Sequence, residues 1–137
     1  MQKTFTILKP DTVKAGNAGA IISQLEKAGF RIRAMKMLHL TESQAQGFYY
    51  VHKERPFFGS LVTFMTEGPV IMMVLEAESA IEKLRKVMGA TDPAKADAGT
   101  IRKQFGSNIE RNAIHGSDGP DTAAFEISYF FNQLEIV

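Results

Sequence analysis

The unbroken apolar run Val70-Ile-Met-Met-Val-Leu75, set off by Gly68-Pro69, constrains this chain more than any other segment. It is far shorter than the roughly 20 residues needed to span a bilayer. Its apolar surface must therefore be covered from within the protein, as a central strand covered on at least one face. The neighbouring segments supply what such a strand requires. Phe5 and Ile7 in Lys3-Thr-Phe-Thr-Ile-Leu8 read as a short strand that stops before Pro10. Ala18, Ile21, Ile22, Leu25 and Ala28 recur at helical spacing, and Gly29 follows where a helix ends. Phe30, Ile32, Ala34 and Met37-Leu38, interleaved with Arg31, Arg33 and Lys36, predict a half-buried strand. Met35 and Met37, like Met72-Met73, read as core filler.

Thr41-Glu-Ser-Gln44 has the form of a capping box, and helical character runs from there to about His52. Pro56 breaks it, and a second helix is expected over residues 57–65. Helical spacing returns over 79–88 through Ile81, Leu84 and Val87-Met88. Residues 89–108 are small, polar and turn-rich, and read as a long functional loop with little structure of its own. The last third reads two ways. Asp118-Gly-Pro120 resembles a helix start, whereas Phe125, Ile127, Tyr129 and Phe131 alternate like a strand. Helix is preferred, because Ala124, Ile127 and Phe131 also share a helical face. The interleaved βαββαβ order predicts an α/β sandwich of ferredoxin-like type with a four-stranded antiparallel sheet. A length of 137 residues fits a single domain over 1–137.

No cysteine is present, which excludes disulfides, thiolate metal sites and cysteine nucleophiles, and fits a cytoplasmic protein. Sixteen Lys+Arg stand against fifteen Asp+Glu, too even a balance for a protein that coats nucleic acid. Met1-Gln-Lys-Thr leads straight into the first strand pattern, so no signal peptide is read. Neither glycine-rich phosphate loop occurs, so any nucleotide chemistry here has to use side chains. The densest polar cluster is Asn112-Ala-Ile-His115-Gly-Ser-Asp118. A histidine in that setting can have one ring nitrogen fixed and the other left as a nucleophile. It can equally cap a turn, with Ser117 or Asp118 starting the next helix. His39 and His52, at element ends, need no role beyond solvation or complementing a helix dipole. Lys9, Arg85 and Arg102 could bind polyphosphate if they converged, and otherwise are scattered surface charge. In Arg55-Pro-Phe-Phe-Gly59, one ring can pack inward and leave the other as a stacking face or a packing contact.

Four blocks carry a resemblance that spans the chain. Thr6-Ile-Leu-Lys9-Pro-Asp11, Tyr49-Tyr-Val-His-Lys-Glu-Arg55-Pro-Phe57-Phe58, Gly99-Thr-Ile-Arg102 and Asn112-Ala-Ile-His115-Gly-Ser-Asp118 resemble the nucleoside diphosphate kinase family in order and spacing. The resemblance implies that His115 is the phosphorylated nucleophile, oriented by Glu126 with Ser117 bonded to it, and that residues after Asp118 form a helix. It implies that Lys9 binds ribose hydroxyls and a phosphate, and Asn112 the 3′-hydroxyl. Phe57 would stack on the base, with Leu61 and Ile109 lining the base site. Arg85, Thr91 and Arg102 would be phosphate ligands, and the Tyr49 hydroxyl would lie close to His115. The implied reaction moves the terminal phosphoryl group of ATP to a nucleoside diphosphate in two half-reactions. Mg²⁺ would arrive on the nucleotide phosphates, since no carboxylate cluster could hold it alone. The implied assembly is a homo-oligomer built from dimers, a tetramer or a hexamer.

Two rivals remain at this level. A nucleic-acid module on the same fold would display aromatic and basic residues on its central strands, which 70–75 lacks. A scaffold that had lost its chemistry would not be expected to keep His115, Lys9, Arg102, Asn112 and Glu126 together.

Overall fold

The computed structural model describes residues 1–137. Four strands, β1 (Gln2–Leu8), β2 (Arg31–Leu38), β3 (Val70–Ala77) and β4 (Ile114–Gly116), form one sheet in the order β2-β3-β1-β4. Every neighbouring pair is antiparallel. The helices are α1 (Pro10–Lys14), α2 (Ala18–Lys27), α3 (Glu42–Phe48), α4 (Phe58–Met65), α5 (Ala80–Met88), α6 (Ile101–Phe105) and α7 (Pro120–Phe130). This is the ferredoxin-like sandwich anticipated from the alternation of strand and helix periods.

The apolar run is continuous because β3 is covered on both sides. Val70, Met72 and Val74 join Phe5 and Ile7 in one core, with Phe48, Phe64 and Phe131. Met73 and Leu75 face the other core with Leu8, Ile21, Leu25 and Leu84. Local signals place the helices. Thr41 and Gln44 exchange capping-box hydrogen bonds at 3.1 and 2.9 Å at the start of α3. Pro120 opens α7, where its missing N–H is not needed. That helical start prevails over the strand-like alternation of residues 125–131.

Two expectations are corrected. Met35 and Met37 are not core filler: they are 54% and 56% exposed. The reason is a β-bulge between Ile32 and Ala34, which puts Ile32 opposite Leu75 but Ala34 opposite Val74. The extra residue reverses the phase of the strand. Ala34 and Leu38 then pack on one core, while Met35 and Met37 point to the opposite face on an edge strand. The stretch 89–108 is also more ordered than expected. It contains a 3₁₀ turn at Pro93–Lys95, capped by Asp92, and α6, capped by Thr100. Ile101 anchors α6 in the core with no exposed surface.

Met73 lies at the centre of the sheet with no solvent exposure. Met73→Ala is expected to lower the unfolding free energy by about 2–5 kcal/mol, read as a lower denaturant midpoint at unchanged slope.

Candidate active site

The site starts from the pairing of β4 with β1, in which His115 lies opposite Ile7 and Gly116 opposite Thr6. Because β4 is an edge strand of three residues, its carbonyls need partners other than a further strand. Thr6 Oγ1 donates to the His115 carbonyl at 2.7 Å. Arg102 Nη2 donates to the Ile114 carbonyl at 2.8 Å, and Arg85 Nη1 to that of Gly116 at 3.3 Å. Gly116 permits the close approach of α5, since a Cβ there would lie 2.5 Å from Met88 Sδ and 3.0 Å from Leu84 Cδ2.

Ahead of β4, Ala113 is fully buried in the left-handed region with φ +75°. An L-residue adopts that conformation at a cost of about 1–2 kcal/mol. The segment after β1 holds it there. Asp11 Oδ2 accepts from the Ala113 N–H at 3.0 Å, while Lys9 N and Thr12 Oγ1 both donate to the Ala113 carbonyl at 2.9 Å. Asn112 and His115 are thereby turned toward the same cleft.

Within the cleft, the His115 ring sits 2.8 Å from Glu126 Oε1 through Nε2. Ser117 Oγ donates to the same oxygen at 2.7 Å. A carboxylate in that position accepts the Nε2 proton, which leaves Nδ1 as the unpaired nitrogen. The rings of Phe5, Phe48 and Tyr49 stand around the imidazole at centroid distances of 6.4, 5.5 and 6.2 Å. They restrict its rotation.

Beside this group is a buried cationic wall. Lys9 is 7% exposed and donates from Nζ to Asn112 Oδ1 at 2.8 Å. Burial, reinforced by the Arg102 charge, lowers the Lys9 pKa to about 8, against the weaker pull of Asp11 and Glu110. Arg102 is lowered to about 10 by burial and by Arg85, and therefore stays charged at neutral pH. Its Nε is buried without a partner. Asn112 is fixed by donating to the carbonyls of Thr91 and Ile109 at 3.0 and 2.9 Å. The Tyr49 hydroxyl is buried and unpaired, and burial, with Glu126 adding to it, pushes its pKa well above the usual phenol range. It is a proton donor without an acceptor.

These groups line a cleft of about 490 Å³. Of the residues singled out in the sequence, Lys9, Tyr49, Phe57, Leu61, Thr91, Arg102, Ile109, Asn112, His115 and Glu126 reach its surface. Ser117 stands behind Glu126, fully buried. Arg85 lies behind the Gly116 carbonyl and faces a separate polar hollow with Lys86 and Asp118. Neither that hollow nor one around Lys14, Glu67 and Arg111 contains a histidine or an aromatic ring.

Sequence reasoning missed several lining residues. His52, read as a solvated helix end, instead lines the cleft, 5.5 Å from the Phe57 ring and 6.5 Å from Tyr49. Glu110 and Thr122 were not singled out either, and Asp118 was read only as part of the His115 cluster or as a helix start. Membership of the His115 cluster was the available signal for Asp118. No three of the histidine, aspartate and glutamate side chains come together in a way that could hold a metal ion. No helix is long and apolar enough to cross a membrane.

Comparison with known proteins points to one family. Residues 2–136 match the family model described as nucleoside diphosphate kinase. The chain is 58% identical over 137 residues to the nucleoside diphosphate kinase of Geotalea uraniireducens, covering all of both chains. It is 59% identical to that of Trichlorobacter lovleyi, covering all of this chain and 99% of the relative. Among solved structures, the Aquifex aeolicus nucleoside diphosphate kinase superposes with a TM-score of 0.97 at 46% identity, covering 99% of each chain. A Halobacterium salinarum nucleoside diphosphate kinase in complex with CDP gives 0.96 at 40% identity, covering 99% of this chain and 91% of that one.

The buried ammonium has a measurable consequence. With its pKa lowered from 10.5 to about 8 on folding, Lys9 carries a penalty that is complete below pH 8 and disappears by about pH 10.5. Stability should therefore rise with pH across that window relative to Lys9→Met. The expected gain is on the order of 3 kcal/mol, read from denaturation curves of both proteins at pH 7 to 10.5.

Proposed function

The chain belongs to the nucleoside diphosphate kinase family and transfers the terminal phosphoryl group of a nucleoside triphosphate to a nucleoside diphosphate. We propose that it does so through His115. The observation that carries this reading is the Ser117–Glu126–His115 chain of hydrogen bonds, which ends in an imidazole nitrogen with no partner of its own.

The Nδ1 lone pair of His115 attacks the terminal phosphorus, and the bond from that phosphorus to the bridging oxygen breaks. The nucleoside diphosphate leaves with the electron pair. Positive charge that develops on the ring is stabilised by Glu126 at Nε2, and Ser117 keeps Glu126 from rotating away. A second nucleoside diphosphate then attacks the phosphohistidine, and the same steps run in reverse. Phosphoryl transfer asks chiefly for in-line positioning and charge neutralisation. Lys9 and Arg102 supply the second, and the unpartnered Nε of Arg102 is a donor available to a phosphate oxygen. Arg85 contributes by its charge and by holding β4. Thr91 completes the phosphate contacts, and the protonated Tyr49 hydroxyl donates to the moving phosphoryl group. Mg²⁺ enters as part of the nucleotide substrate.

Lys9 and Asn112 together bind the ribose hydroxyls, Asn112 the 3′-hydroxyl. Phe57 stacks on the base between Leu61 and Ile109. That the Halobacterium salinarum relative was solved in complex with CDP supports a nucleotide as the ligand of this chain. Stacking is tolerant of base identity, so the enzyme accepts both purine and pyrimidine nucleotides. It works in the cytoplasm as one domain over residues 1–137, which maintains nucleoside triphosphate pools. The assembly is a homo-oligomer built from dimers, a tetramer or a hexamer. What supports it is the exposed pair Met35 and Met37 on the edge strand β2, an apolar surface no element of the chain covers.

Two measurements test this reading. Incubation with labelled ATP and Mg²⁺, without acceptor, should leave acid-labile, alkali-stable label on the protein, and GDP should discharge it as GTP. His115→Ala should abolish label and turnover, whereas His39→Ala, altered at an exposed contact with the Thr66 carbonyl, should keep both. Labelling of the His115→Ala protein would overturn the assignment. Light scattering at micromolar concentration should give the mass of a tetramer or hexamer, and a monomer mass would refute the assembly.

A further inference from the structure

Of the three carboxylates that line the cleft, Glu126 holds His115 and Asp118 adjoins the His115 cluster, which leaves Glu110 without an assigned role. Glu110 lines it beside Ile109, and its charge reaches as far as Lys9. A carboxylate placed there repels the very ligand the cationic wall attracts, unless it makes a contact of its own.

Its placement is not accidental to a loose loop. Asn108 Oδ1 accepts from the backbone N–H groups of Glu110 and Arg111 at 3.0 and 2.8 Å. The Arg111 guanidinium is forked onto Glu67 at 2.7 and 2.9 Å. The side chain is fixed separately. Ser60 Oγ donates to Glu110 Oε2 at 2.6 Å, which leaves Oε1 with no partner. Ser60 sits on α4 within one turn of Phe57 and next to Leu61, whereas Glu110 follows Ile109 on the facing loop. The Ser60–Glu110 bond therefore joins the two walls between which the base is held. A base stacked on Phe57 between those walls would lie beside that bridge.

We propose that Glu110, held by Ser60, is a specificity residue that reads the donor edge of the base and favours guanine nucleotides. This rests on the reading of the cleft as the nucleotide site. Guanine presents N1–H and the 2-amino group side by side, two parallel donors that match a carboxylate. Adenine and cytosine offer one amino group beside a ring-nitrogen acceptor. Uracil offers a single N3–H between two carbonyls, which repel an anion. Stacking still admits every base, so the preference is one of degree.

The test uses the full-length protein, phosphorylated beforehand with ATP and freed of nucleotide, and follows the discharge of the label by GDP, IDP or UDP. Hypoxanthine in IDP keeps N1–H and lacks the 2-amino group. The wild type should discharge to GDP with a larger second-order rate constant than to IDP or UDP. In Glu110→Gln, which keeps the size of the side chain and an acceptor for Ser60, the GDP-to-UDP ratio should fall roughly tenfold. The GDP-to-IDP difference should vanish with it. Ser60→Ala, which releases the carboxylate, should lower the same ratios by a smaller factor. If the wild type shows no preference for GDP, or if all three rate constants move together in Glu110→Gln, Glu110 acts only through its charge on Lys9 and the proposal is overturned. Failure of the wild type to become phosphorylated at all would count against the phosphohistidine reading instead, a separate outcome.

Discussion

The registration of three residues of β4 against β1 carries the rest of the site. Setting His115 opposite Ile7 aims the imidazole at the face of the sheet occupied by α3 and α7, where Glu126 and the aromatic rings are. The same pairing brings Lys9, one residue beyond β1, next to Asn112, two residues before β4. Slipping by one residue would turn His115 to the opposite face, toward α5. What prevents the slip lies on both sides of the strand. Asp11, Lys9 and Thr12 lock the strained Ala113 at its entry, and the contact of Gly116 with Met88 and Leu84 fixes its exit.

The charges around this strand are held in an arrangement that is unfavourable without substrate. Lys9 and Arg102 stand together in the cleft, with Arg85 outside it but near enough to act on Arg102, and burial and neighbouring positive charge disfavour the charged forms of Lys9 and Arg102. The Nε of Arg102 and the Tyr49 hydroxyl are buried without partners. Each of these is a cost to the free protein that a polyphosphate bound here would relieve, since it would supply both negative charge and acceptor oxygens. The packing of two hydrophobic cores against the sheet keeps the groups from relaxing toward water. Preorganisation of this kind stabilises a transition state without reorganisation at the moment of reaction.

Much of this was readable in the sequence, for identifiable reasons. The run at 70–75 required cover on at least one face, and Pro120 marked the start of α7 despite a strand-like alternation. The residues around His115 stood out because they are contiguous. What escaped was nonlocal. The bulge that exposes Met35 and Met37 depends on how β2 meets β3, and nothing in Arg31-Ile-Arg-Ala-Met35 announces an extra residue. Five-residue helices such as α6 are too short for a hydrophobic period to develop, so capping by Thr100 and the burial of Ile101 decide them. His52 and Glu110 belong to the cleft only because α4 and the loop before β4 close on each other, a contact made across some 50 residues of chain.

The residues of the cleft differ in burial, and for most of them the difference matches what each part of a nucleotide bound there would demand. At the phosphate end Lys9 and Arg102 are each 7% exposed and Asn112 only 1%, so their positions are set by the core. At the base end Phe57 is 46% and Ile109 63% exposed, with little packed behind them. In-line transfer between two oxygens tolerates small errors in geometry poorly, whereas stacking on a ring face tolerates substantial sliding and tilting. Burial of Lys9, Arg102 and Asn112, with the faces of Phe57 and Ile109 left open, would let one rigid phosphate site serve several bases, although Thr91 is exposed and Leu61 buried. The same difference explains why an exposed, hydrogen-bonded pair such as Ser60 and Glu110 can shift base preference without disturbing the register of β4. It is fixed to the loop and to α4, and neither of its side chains bears on Ala113 or Gly116.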